Sequence, residues 1–235
     1  MAAYSFRAVG TIASNTNSAA LTPGAPAGKQ VGDLLLLYTG SRLAGEAAAS
    51  ITGWTQLFAD NNGTGPPMEI WARIADGSAT DTPSPDWTGV GDSIAWIEAY
   101  SGDVYTDLAT IIAHIGVVSE TGGQASDIPL SSLTITTDDT LVIAYGTKQK
   151  TATSNDCTTI TAGGGLTKRA QVIQTGTALM GISASMQQTT ATNYDGTNFT
   201  RNGTDETANA TSIVIALLSE EDAVPLAPIT LRWRQ

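Results

Sequence analysis

The stretch Gly32-Asp33-Leu34-Leu35-Leu36-Leu37 decides the fold. Gly-Asp is turn chemistry. The four leucines after it are apolar on both sides of an extended chain, which reads as a central strand covered on both faces. A related opening lies downstream, Asp138-Asp139-Thr140-Leu141-Val142-Ile143. Working outward, Gly10 and Gly116, Pro23 and Pro129, Asp33 and Asp139, and Gly40 and Gly146 are each separated by 106 positions. Beyond these landmarks the copies drift through insertions. Ile51-Thr52-Gly53-Trp54-Thr55 answers to Ile160-Thr161-Ala162 and a glycine run before Leu166-Thr167, and Ser93–Ile97 answers to Ser212–Ala216. The spacing points to an ancient duplication, with halves at 4–103 and 110–222. The repeated Asp has a local job: it closes the turn before a buried strand by bonding nearby backbone amides.

The rest of the chain reads as short apolar segments punctuated by Gly, Pro, Asn, Asp and Ser. The expected strands are Tyr4–Ala13, Asp33–Thr39, Thr55–Phe58, Met68–Ala75, Ser93–Tyr100, Ile111–Val118, Thr140–Gly146, Lys168–Ile173, Leu179–Gln187 and Ser212–Ser219. Met68, Ile70, Ala72 and Ile74 alternate with Glu69, Trp71 and Arg73. Met180, Ile182, Ala184 and Met186 alternate with Gly181, Ser183 and Ser185. Period two predicts one dry and one wet face in each. The best helical candidate, Leu43–Ser50, is Ala-rich but brief. The expected fold is all-β. About five strands per half make one sheet with an apolar face, and stacking two such sheets closes a core. The junction 103–110 has no linker composition, so we expect a single jelly-roll-like β-sandwich over 1–223 built from two sequence-related halves, followed by an extended C-terminal arm, 224–235.

Composition narrows the function. The 235 residues carry a net charge of -11, only 14% charged residues, one Cys and one His. An acidic balance argues against nucleic acid. Cys157 alone forms no internal disulfide, and one Cys with one His makes no ordinary zinc site. No signal core or membrane-length apolar run is visible, so no membrane partner is expected and a soluble chain made in a reducing compartment is. No cofactor, metal or catalytic residue is expected.

The order of motifs resembles a family of virion structural proteins of tailed bacteriophages. The matching residues are Gly10, Pro23, Gly32-Asp33-Leu34-Leu35, Gly53-Trp54-Thr55, Trp71, Ile94–Ala99 and Tyr100-Ser101-Gly102. The second half resembles the family's weaker second copy and departs from it where Gly163–Gly165 replace the aromatic. These are packing motifs. The resemblance implies a β-sandwich on a capsid, head fibre or tail, with other virion proteins and copies of itself as partners, and it carries over no catalytic residue. The virion is then the expected location.

Candidate sites follow from residue type. Trp71 alternates with core residues, so it is expected to point outward as a contact with a neighbouring subunit or a surface for stacking on sugars. Trp54 and Trp96 are expected to fill the sandwich. Arg232, Trp233 and Arg234 alternate in the basic, apolar arm as anchors for a neighbour, unless the arm is a final strand of the same sandwich or a frayed terminus. Glu69 and Glu98 could share a face and serve a glycosidase, the least supported reading. His114 is read as a satisfied strand histidine. Asp60-Asn61-Asn62-Gly63 reads as a polar turn or a calcium loop, and 194–207 as an exposed polar loop. A host-glycan-binding module is the alternative to a virion structural protein.

Overall fold

The computed structural model describes residues 4–16, 20–42, 50–60, 65–86, 91–102, 107–120, 127–149, 157–174, 179–202 and 208–219. Residues 43–49 of the helical candidate Leu43–Ser50, and the arm, lie outside them. The described residues form strands β1 (Ser5–Val9), β2 (Ala13–Asn15), β3 (Leu34–Ser41), β4 (Thr55–Asp60), β5 (Met68–Ile74), β6 (Ser93–Ser101), β7 (Ile112–Glu120), β8 (Thr140–Gln149), β9 (Ile160–Thr161), β10 (Thr167–Ile173), β11 (Leu179–Gln188), β12 (Thr200–Arg201) and β13 (Ala210–Leu217), with one 3-10 turn at Ala79–Asp81. The expected first strand breaks in two at Gly10. A side chain there would collide with the carbonyl of Gly24, 1.9 Å from an ideal Cβ, because the loop carrying Pro23 crosses the strand at this point.

One sheet runs β1-β6-β3-β5-β4, with β2 also on β6; the other runs β10-β11-β8-β13-β7. All the pairings are antiparallel. The chain completes the first sheet before it begins the second. Counting the long strands within each half, both sheets read first, fifth, second, fourth, third.

The sheets face each other across a shared interior. Leu34, Leu36, Tyr38, Ile70 and Trp96 of the first sheet form one cluster with Leu141, Ile143, Tyr145, Ile213 and Ile215 of the second. The middle of this cluster is aromatic. Tyr38 stacks on Trp96 with centroids 5.6 Å apart, and Tyr145 meets both edge-on at 5.1 and 5.4 Å.

The outer faces are dry too, which corrects the wet-face expectation for β5 and β11. In the first sheet Leu35, Leu37, Trp71, Ala95 and Ile97 pack under Leu21, Trp54 and Ala75. In the second, Val142, Met180, Ile182 and Val214 pack under Ile128, Leu133, Ile160 and Phe199. Loops act as a third and fourth layer, and this is why Leu34–Leu37 are all fully buried, each such burial stabilising by about 1.5–3 kcal/mol. On β11 the inward face is the Gly/Ser face. At Gly181 an added Cβ would sit 2.4 Å from Ile94 Cδ1 and 3.2 Å from the Trp96 ring, so glycine makes room for the aromatic cluster.

Candidate functional site

Glu98 lies opposite Leu36 on β6 and therefore faces the shared interior, where it is fully buried. Its carboxyl gathers donors from both sheets. Tyr100 donates to Oε2 at 2.6 Å and Trp96 Nε1 to Oε1 at 3.3 Å. Ser183 of β11 donates to Oε1 and accepts from Trp96 Nε1 at 3.0 Å. Burial pushes the Glu98 pKa up, and these hydrogen bonds oppose the rise without cancelling it. Burial, followed by the Glu98 charge, lifts Tyr38 and Tyr100 well above the ordinary tyrosine range. The cluster is a polar tie between sheets, sealed from solvent.

A raised folded-state pKa means that the native state holds the proton more tightly than the unfolded chain. Glu98 thus contributes stability that is full below its ordinary value of 4.5 and is lost as pH rises from there through the folded-state value. Glu98→Gln removes this dependence. The stability difference, wild type minus variant, is expected to fall as pH rises above 4.5 in urea titrations. A flat difference would contradict the assignment.

Glu69 does not join Glu98. It lies opposite Thr39 on the outer face of the same sheet and is also buried. Thr39 Oγ1 donates to it at 3.3 Å and Trp71 Nε1 at 3.1 Å. A glycosidase needs two carboxyls flanking one bond, and the sheet separates these two. Trp71 points away from the shared interior, as its alternation requires, but it is 5% exposed. The loop layer with Trp54 covers it, so its role as a subunit contact or sugar-stacking surface is corrected to outer-layer packing. Trp54 fills that layer rather than the interior between the sheets, and its Nε1 donates to Thr80 O at 2.9 Å. Trp96 is in the shared interior, as expected.

A third buried acid, Asp81, clamps one end of the first sheet. Lys29 Nζ donates to it at 2.6 Å, Arg73 Nε at 2.9 Å and Gly77 N at 3.0 Å. Arg73 also donates to Gly53 O at 2.7 Å and pairs with Asp76. Burial raises the Asp81 pKa, but the hydrogen bonds from Lys29 and Arg73 outweigh it and hold the carboxyl below its ordinary value. Asp33 performs its expected turn role by accepting Gln30 N at 2.7 Å, and it pairs with Arg7 at 2.7 Å. Its counterpart Asp139 instead takes a left-handed backbone, φ 52°, which Asp tolerates better than most residues.

His114 accepts the Thr136 N–H on Nε2 at 3.2 Å, the satisfied strand histidine expected. Asp60 ends β4 and is buried, while 61–64 lie outside the described residues, as do Trp87, Arg232, Trp233 and Arg234. The polar loop from Tyr194 is not simply exposed: Tyr194 and Phe199 are buried in the cover of the second sheet, and β12 pairs with β9. Asn202 spends its amide on Thr158 and Thr159, its Oδ1 accepting both N–H groups and its Nδ2 donating to Thr158 Oγ1. Among the described residues no three His, Cys, Asp or Glu side chains converge as metal ligands. Among the described residues, one surface cavity of about 460 Å³ is lined by Asp86 as its acid, and another of about 480 Å³ by Asp195.

The sheet edges differ. β1 has a bulge between Phe6 and Ala8 around Arg7, β4 one between Gln56 and Phe58, and β10 one between Lys168 and Ala170 beside Arg169. Bulges and charges blunt an edge against further pairing. β7 ends the second sheet, and from His114 to Glu120 it follows β13 residue for residue. Ile115 and Val117 lie opposite Ile215 and Ile213 of the shared interior, yet they are 49% and 43% exposed. The sequence offered the signal, an apolar strand without Lys, Arg or Pro. Which strand ends up on an edge is a matter of topology and was not legible.

No helix among the described residues is long and apolar enough to cross a membrane. Compared with known protein families, with curated proteins and with solved structures, the chain finds no match.

Proposed function

We propose that this chain is a structural subunit of a tailed-bacteriophage virion, a head decoration or a head or tail appendage, that binds neighbouring virion proteins and acts without catalysis. The observation that carries the reading is the edge strand β7, which only β13 pairs among the described residues and on which Ile115 and Val117 stay exposed. The strand chemistry supports it: Glu69, Glu98 and Arg73 spend their polar atoms inside the fold. The motif order set out above supplies the virion context, and the shared strand order of the sheets suits descent from one duplicated half. Sandwich units joined edge to edge would make many weak contacts that add up when an assembly presents many copies. The glycan-binding alternative loses its stacking surface with the burial of Trp71.

Electron micrographs of phage particles labelled with an antibody to this chain test the proposal. Label at a fixed place on head, neck or tail is expected; particles without label, from cells that make the chain, would overturn it.

A further inference from the structure

We propose that β7 pairs antiparallel with β7 of a second copy of this chain about a two-fold axis at Gly116, joining two five-stranded sheets into one. The inference rests on the assembly reading above and names its partner. A closed two-fold contact must be self-complementary, and this strand is. With Gly116 on the axis, Ile115 of one copy falls opposite Val117 of the other, and the reverse. The two exposed apolar side chains of each copy thus meet their counterparts on the face that continues the shared interior.

Charge selects the same strand. Two copies of a chain with net charge -11 repel each other. Contact is favoured where charge is missing, and Ile112–Ser119 carries none. His114 of the same strand is turned to the far side, where its Nε2 accepts the Thr136 N–H. The strand's one charged residue, Glu120, lies four positions from the axis, so the two copies' Glu120 positions fall at opposite ends of the paired strands. The competing edges carry Arg7, Asp60, or Lys168 with Arg169, and each is bulged beside or between those strands' paired residues, whereas the register shift of β7 lies at its start, at Ala113, and leaves His114–Glu120 regular. The far side of β7 is already closed by the segment carrying Ser131, Leu133 and Thr136. Approach is therefore along the edge itself, through backbone groups that no strand among the described residues pairs, with Ile115 and Val117 as the apolar seam.

The test uses the purified full chain. Light scattering on a size-exclusion column over a concentration series should give the mass of two chains for the wild type and of one for Val117→Lys, with unchanged circular dichroism because the site is on the surface. Register is tested with Ile115→Cys and Val117→Cys. Mixed and mildly oxidised, the two variants should cross-link to each other, and each alone far less. A wild type that stays at one chain would overturn the proposal, as would a dimer indifferent to Val117→Lys. Loss of the dimer only on deleting 224–235 would assign the contact to the arm and overturn it as well. A dimer in solution with unlabelled particles would sink the virion reading and leave the pairing standing; labelled particles with a monomeric chain would do the reverse.

Discussion

Trp96→Ala is expected to lower the unfolding free energy by about 3–5 kcal/mol, the usual cost of emptying a large aromatic site in a core. The ring is fully buried between Tyr38 and Tyr145, one from each sheet, and Gly181 leaves space for it. Truncation opens a hole at the seam of the sheets and removes the Nε1 donor shared by Ser183 and Glu98. Little can collapse into the space, because β6 and β11 are each held by neighbours on both sides. Both sheets should lose stability together, in one urea transition seen alike by fluorescence and circular dichroism. Two separated transitions, with the second at its wild-type midpoint, would mean that the halves keep separate interiors.

Asp81→Ala should cost about 3–5 kcal/mol, the scale for removing one partner of a buried ion pair. Asp81 is fully buried and joins the loop of Lys29, strand β5 through Arg73, and the turn at Gly77. Without it two cations face each other with no anion between them, and the Gly77 N–H loses its acceptor. Arg73 keeps Asp76 and the Gly53 carbonyl, so the damage should stay at this end of the first sheet. The pH dependence is opposite in sign to that of Glu98. A depressed folded-state pKa means stability that is full above the ordinary value of 3.8 and lost as pH falls from there through the folded-state value. Calorimetry should show the variant's deficit shrinking toward acid pH. A deficit that does not change with pH would deny the clamp its charge.

Much of the architecture was legible in residue order. Alternation and turn residues located the long strands to within a few positions, because a half-turn period and Gly/Asp punctuation are local properties. The face of each strand was less legible. Met180, Ile182 and Ala184 looked like the core side of β11, yet they pack under the outer loops, while Gly181 and Ser183 face the other sheet. Composition could not reveal that a small-residue face had been matched to Trp96 and Glu98 of the other half. Trp71 failed for the same reason: its direction follows from period two, but its burial depends on Trp54 and Leu21 arriving from distant loops. Glu69 and Glu98 were both recognised as strand acids, and their parity is opposite once register is known: one pairs with Thr39, the other with Leu36.

The central claim is that two sheets, one from each half, close a single interior. Hydrogen exchange read by mass spectrometry on the wild type and on Trp96→Ala tests it most directly. Amides of β8 and β11 should lose protection alongside those of β3 and β6, although the substitution lies in the first half. Loss confined to β3, β5 and β6, with β8 and β11 as protected as before, would contradict it.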